Sequence, residues 1–361
     1  MKTLVISGIN LFEGGPLSIY YDCLNAILDN KIDEEYKVIA FVHKKSLFLK
    51  YSSRVSLIEL PKSRKSYIYR LWYEYDFFYR FSRKNKVDIW LSLHDITPRV
   101  KAGRLYTYCH NPSPFMKKNL SNLKYGVKNV AFSLFYKYLY RINIRSNTAV
   151  IVQQDWMRKK FLQMYPIENV IVARPNIKID NLTNICKKES DKFTFIFASF
   201  PRFFKNFDVI CQATQRIKHE NFEIWLTLDG TENKYSRELR KKYENVKQIK
   251  WLGLQTREKL YELYEKSDAM IFPSTLETWG LPISEFKQTG KPMLLADLPY
   301  AHETLGTYDK AVFFDPYNAL ELKTKMIEAM HGCLEYNKSI AHKVKIPYAD
   351  NWKELFEIIL K

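Results

Sequence analysis

The feature that most constrains this chain is the repeated pairing of a short β-branched run with a helix-like stretch, because each pair reads as part of a βαβ unit and commits the chain to parallel sheets. Lys2 to Gly8 (KTLVISG) is followed by a loop holding Gly14-Gly15-Pro16 and a helical stretch from Leu17 to Leu28. Further strands are predicted at Tyr36 to Val42, Val55 to Leu60, Ile89 to Leu93, Leu105 to Cys109, Ala149 to Val152 and Val170 to Ala173. After a polar stretch at 179–191 the pattern restarts with Phe193 to Ala198, Glu223 to Asp229, Ile249 to Leu252, Ala269 to Phe272, Met293 to Ala296 and Ala311 to Phe314. The expectation is two doubly wound α/β domains that face each other across a cleft, since ligands of such sheets bind at the carboxyl ends of the strands.

The 361 residues suit two domains. No apolar run approaches the roughly 18 residues of a membrane span, and the start breaks at Glu13 without a small-residue cleavage site, so export and insertion are not expected. Five scattered cysteines, Cys23, Cys109, Cys186, Cys211 and Cys333, contain no C-x-x-C. They are read as reduced thiols of a cytoplasmic protein, forming neither a disulfide framework nor a zinc site.

The net charge of +18 is uneven: residues 1–185 hold 30 Lys/Arg against 14 Asp/Glu, whereas residues 186–361 hold 27 against 25. Such an asymmetry draws one half toward a polyanion: nucleic acid, an anionic membrane surface or a lipid pyrophosphate. Ser66 to Phe81 (SYIYRLWYEYDFFYRF), flanked by Lys62, Arg64, Lys65, Arg83, Lys84 and Lys86, and Phe132 to Arg145 (FSLFYKYLYRINIR) interleave aromatics with cations. Aromatic rings with wet polar tips and nearby Lys/Arg suit a headgroup layer, so peripheral association with the inner face of an anionic membrane is expected. Interior helices with snorkelling edges are the alternative. No RNP, KH or zinc-finger pattern supports a nucleic-acid partner.

Familiar chemical motifs are missing. There is no G-x-G for a dinucleotide, no lysine-Ser/Thr pair of a phosphate loop, no H-E-x-x-H, no D-x-D and no G-x-S-x-G. The expectation is a metal-free, cofactor-free site that handles anions with backbone amides and Arg/Lys. Phe272 to Pro292 (FPSTLETWGLPISEFKQTGKP) is the most informative segment. Pro282 suits a first helical turn, so amides near Gly280, Leu281 and Ile283 would point from a helix start toward an anion. Glu277 would stand on the preceding loop and Glu285 in the first turn, within reach of a ribose diol.

With these residues the sequence resembles the retaining glycosyltransferases of family 4, of the bacterial O-antigen and capsule type, which have the GT-B fold. Glu277 and Glu285 match the family's E-x7-E motif around Thr278-Trp279-Gly280-Leu281-Pro282. Phe200 to Asn206 (FPRFFKN) looks like the loop whose cations, here Arg202 and Lys205, bind the donor pyrophosphate. Gly14-Gly15 resembles the amino-terminal glycine loop, His110 the histidine near the donor sugar, and Gly253-Leu254 the turn beside the nucleotide base. His94 is the second choice for the histidine. Tyr348 to Leu360 is similar to the last helix, which crosses back to the first domain.

The resemblance implies an acceptor-binding Rossmann-like domain at 1–180, a nucleotide-sugar-binding one at 190–345 and a crossover helix at 346–361. It implies a metal-independent hexosyltransferase that moves a sugar from a nucleoside diphosphate sugar to a glycan or polyprenyl-pyrophosphate-linked acceptor, with Glu277, His110, Arg202 and Lys205 at the reaction. A sugar-nucleotide epimerase of the same fold and a non-enzymatic polyanion-binding protein are the competing readings.

Overall fold

The computed structural model describes residues 1–116, 135–175, 191–338 and 343–361. They divide into two compact units, one of residues 1–116, 135–175 and 344–361 and one of residues 191–338 with 343. The expected linker at 179–191 (apart from Asp191), Cys186 and the start of the second basic-aromatic stretch, 132–134, lie outside the described residues.

The first unit is built on eight strands: β1 (Lys2–Gly8), β2 (Tyr36–Val42), β3 (Ser56–Glu59), β4 (Val87–Ser92), β5 (Ala102–Cys109), β6 (Ala149–Val152), β7 (Val170–Ala173) and β14 (Tyr348–Ala349). Their order is β14-β7-β6-β5-β4-β1-β2-β3, and every pairing is parallel. The second unit holds β8 (Phe193–Phe197), β9 (Phe222–Leu226), β10 (Ile249–Trp251), β11 (Ala269–Phe272), β12 (Met293–Ala296) and β13 (Ala311–Phe314), in the order β10-β9-β8-β11-β12-β13, again parallel throughout. Strands such as AVIV in β6 and AMIF in β11 are buried along their whole length, as expected of sheets covered on both faces.

Each sheet reverses its winding once. In the first unit the chain runs outward from β1 to β3, then returns to β1's other side as β4; in the second it runs from β8 to β10 and returns beside β8 as β11. Diverging connections leave a crevice at the strands' carboxyl ends at each switch point. The loops after β1 and β4, and those after β8 and β11, are therefore where each unit has room for a ligand.

The chain's end is tied to the first unit. Trp352 of the Trp352–Leu360 helix is buried and its ring stacks on Tyr108 of β5 at 5.5 Å, while Arg104 donates to the Leu360 carbonyl at 3.2 Å. Tyr348 and Ala349, read from sequence as the start of that helix, instead form the edge strand β14 beside β7. The Asn351 cap, whose side chain accepts from the Glu354 amide, separates the two elements.

Ser66 to Phe81 has one buried and one exposed face. The helical run Tyr67–Trp72, the wider π-turn Tyr73–Phe77 and Phe78–Lys84 bury Arg70, Tyr73, Glu74 and Phe78. The other face leaves Ile68 80% and Trp72 46% exposed, with Tyr67 and Tyr69 beside them. Tyr67 meets Phe135 edge-on at 5.7 Å, and Lys62 lies over the Tyr69 ring. Among the described residues no helix is long and apolar enough to cross a membrane.

Candidate functional site

The second unit's switch point gathers the acidic and basic residues singled out above. The loop after β8 runs through Arg202 into the short turn Phe203–Lys205 and ends at Asn206, whose backbone is left-handed at φ 59°. The loop after β11 runs from Pro273 to Gly280. The two are laced together: the Thr275 amide donates to the Phe204 carbonyl at 2.7 Å, and Asn206 donates to the Pro273 and Pro316 carbonyls at 3.3 and 2.7 Å. Across this seam the Lys205 ammonium donates to a Glu277 carboxylate oxygen at 2.5 Å, with both side chains largely buried. Arg202 is exposed, with its guanidinium over the Phe200 and Phe204 rings, 6.0 Å from each centroid, and it forms no ion pair among the described residues. The seam thus offers a carboxylate, a paired ammonium and an uncommitted guanidinium, which is the charge pattern for an anion carrying hydroxyl-bearing substituents.

Gly280 fits a place that a side chain would spoil. Its φ is +83°, and a Cβ there would stand 3.3 Å from Ile283 Cδ1 and 3.6 Å from both Phe272 and Tyr300 ring atoms. It caps the Leu281–Phe286 helix, in which Pro282 occupies the first turn. The expected trio of outward amides is reduced, however. The Ile283 amide donates back to the Gly280 carbonyl at 3.0 Å and Pro282 has none, leaving Gly280 and Leu281 as the backbone donors. Trp279 is buried and holds the turn down, its indole N–H donating to Ser284 at 3.0 Å and its carbonyl accepting from Thr304. Thr278 lies half-buried beside it.

Glu285 takes a different direction from Glu277. It lies next to the buried Tyr264 hydroxyl of the Arg257–Lys266 helix; burial, reinforced by the Glu285 charge, pushes that phenol's ionisation far above its ordinary value. Tyr264 therefore stays a neutral donor beside the carboxylate. Glu277 has the corresponding effect on Tyr300, again after burial, and the Tyr300 hydroxyl donates to the Ser274 carbonyl at 2.7 Å. Gly253, with φ +69°, makes a turn in which a Cβ would lie 3.0 Å from Asp229 Oδ2, and Leu254 projects into solvent. Asp229, Asn206 and Ser284 were not singled out from sequence; a glycine turn packed on a carboxylate leaves no local pattern to find.

The first unit holds the remaining predicted residues. Gly14 and Gly15 open the Gly14–Asp29 helix, whose Glu13 cap makes no side-chain hydrogen bond and whose first turn has no acidic residue. A Cβ on either glycine would meet nothing within 4 Å. That bare start after β1 has the partial positive charge of an uncapped helix. His110 follows β5. Burial lowers its basicity, the Asp95 charge partly opposing this, so it is neutral at pH 7. His94 is unsuited to a ligand: it is fully buried, with Nδ1 3.0 Å from the Ser7 carbonyl and Nε2 against the Glu74 carboxylate.

Parts of the chain are similar to known proteins. Residues 179–345 match the family model described as glycosyl transferases group 1. The fold of the chain is GT-B, the fold shared with solved glycosyltransferase structures. One is a glycosyltransferase from Rickettsia africae, 16% identical, covering 91% of this chain and 88% of that one with a TM-score of 0.64. Another is Anabaena HepE in complex with UDP and glucose, 12% identical over 92% of this chain and 90% of that one, TM-score 0.59. In sequence, 120 residues are 31% identical to the serotype-specific mannosyltransferase WbdA of Escherichia coli. They make up 32% of this chain and 14% of that relative's length. The Lys205–Glu277 pair and the Gly280 turn fall inside the matched residues.

Proposed function

We propose that the protein is a retaining hexosyltransferase of surface-polysaccharide assembly, taking its sugar from a nucleoside diphosphate sugar. The observation that carries this reading is the Lys205–Glu277 contact at the second unit's switch point, beside the Gly280 turn. In a nucleoside diphosphate sugar the pyrophosphate and the sugar hydroxyls are adjacent, and so are the groups that suit them here. Lys205 and Arg202 meet the phosphate oxygens, Glu277 accepts from sugar hydroxyls, and Glu285, oriented by Tyr264, accepts from the ribose. Gly253 and Leu254 flank the base. HepE in complex with UDP and glucose supports the donor class, and the likeness to WbdA supports a glycan product.

The transfer is a problem of charge. As the bond between the anomeric carbon and the phosphate oxygen breaks, negative charge grows on the pyrophosphate. Arg202, Lys205 and the Gly280 and Leu281 amides stabilise it, with no metal required. The acceptor oxygen forms its bond on the same face, and its proton passes to the departing phosphate oxygen. His110, neutral, hydrogen-bonds the donor sugar rather than serving as an obligatory base. The acceptor is a polyprenyl-pyrophosphate-linked glycan, reached at an anionic membrane surface through the exposed Ile68 and Trp72 face and its neighbouring Lys62.

A thermal-shift panel of UDP, GDP, dTDP, ADP and CMP with their common sugar conjugates, without added metal, tests the donor. Stabilisation by one nucleotide family, lost in Glu285→Ala, is expected. No shift with any of them, together with salt-dependent oligonucleotide binding, would replace this reading with polyanion binding.

A further inference from the structure

The loop carrying His110 rests on a buried polar layer that the proposed transfer leaves unused. Asp95, at the turn after β4, is 5% exposed. Its Oδ1 accepts three hydrogen bonds, from the His110 amide at 2.8 Å, the Asn111 amide at 3.0 Å and the Tyr140 hydroxyl at 2.9 Å. Its other oxygen, Oδ2, stands 3.8 Å from His110 Nε2. The opposite ring nitrogen, Nδ1, is buried and has no partner. Behind Asp95 the Arg70 guanidinium, itself 5% exposed, donates to the His94 carbonyl at 3.0 Å and to the Tyr136 hydroxyl at 3.1 Å. Glu74 and His94 pair next to it, and the Cys109 thiol faces the Asp95 carbonyl at 3.7 Å. The groups around the ring thus come from the Tyr67–Lys84 helical run, the ends of β4 and β5, and the helical residues 135–140.

A carboxylate only accepts, so the imidazole nitrogen nearer to it is favoured as the one bearing hydrogen, and the far nitrogen then keeps a lone pair. We propose that Asp95 is a positioning residue that holds neutral His110 as the Nε2–H form, so that the enclosed, unpartnered Nδ1 is the ring's unprotonated nitrogen and its only acceptor. Three hydrogen bonds on Oδ1 fix the carboxylate, and the same bonds fix the backbone of the residue whose ring it orients. The buried Arg70 guanidinium lies close enough to Asp95 for the two charges to act on each other.

The experiment records ring 15N spectra of the full-length chain labelled at histidine, in the absence of donor, with the His110 signals assigned by their loss in His110→Gln. In the wild type the pyridine-type nitrogen is expected at Nδ1. In Asp95→Asn the amide oxygen still accepts from both amides and from Tyr140, while its NH2 group faces Nε2. The pyridine-type nitrogen is then expected to move to Nε2, with Tm little changed. A wild-type ring already protonated at Nδ1 overturns the proposal even if Asp95→Asn fails to fold, and so does a ring unchanged by that substitution. Neither reading depends on nucleotide binding, so a failed donor panel leaves this test standing.

Discussion

Replacing Lys205 by Met removes the ammonium that meets Glu277 while keeping most of the side chain's length and apolar contact. The two side chains are 16% and 12% exposed, so the Glu277 carboxylate would be left largely desolvated and without its cation. Stranding a fully buried charge costs about 3–5 kcal/mol. With the residual exposure at this seam we expect about 2–3 kcal/mol, which for a unit of this size is a fall in Tm of roughly 4–12 °C. Adding Glu277→Gln removes the stranded charge, so the double variant should recover about 1–2 kcal/mol relative to the sum of the two single changes. Turnover should not recover with it: both Lys205→Met and the double variant should lose transfer by about 10²–10³-fold, because charge stabilisation on the pyrophosphate is gone. Thermal unfolding of the four proteins, followed by turnover of the nucleotide sugar chosen by the panel, measures both. Additive stability losses would show that the 2.5 Å contact is not energetically coupled, and recovered turnover in the double variant would remove Lys205 from the chemistry.

Gly280→Ala should cost about 1–3 kcal/mol, since φ +83° is strained for alanine and the new methyl crowds Ile283; nucleotide stabilisation in a thermal shift should fall with it. Trp352→Ala should cost about 3–5 kcal/mol by emptying the site stacked on Tyr108, seen as a loss of Tm in the first unit without loss of nucleotide binding. The depressed basicity of buried His110 means that the unfolded chain takes up a proton first as pH falls. That stability is complete above the ordinary histidine range and is lost toward the lower folded value, so wild-type Tm should drop more than that of His110→Gln between about pH 7.5 and about pH 5. Ile68→Glu combined with Trp72→Glu should leave Tm within about 2 °C, because both side chains are exposed, yet reduce co-sedimentation with anionic liposomes at low salt.

Much of the architecture was legible because hydrophobic periodicity is local. Tyr36–Val42, Ala149–Val152, Val170–Ala173, Ala269–Phe272, Met293–Ala296 and Ala311–Phe314 fall on the residues where short apolar runs between polar breaks place them. The edge strand Tyr348–Ala349 was not, because two residues have no period and their pairing with β7 depends on a segment about 175 residues away in the chain. Lys205 and Glu277 were each visible in motifs, but nothing in the motifs says that they touch. The Arg70 and Glu74 spacing within an aromatic stretch was a trace of the buried layer, which reads equally as a solvated i,i+4 pair.

The sequence by itself determined the two parallel α/β units, the uneven charge and the glycines that turns require, since these follow from period, composition and backbone sterics. The tertiary structure alone decided which charges face each other. It placed Lys205 on Glu277 and Glu285 beside Tyr264, and it closed His94 off between Ser7 and Glu74 while leaving His110 Nδ1 unpaired. Those outcomes depend on where two strands' loops converge at a switch point, and burial there turns an ordinary side chain into a paired, neutral or oriented one.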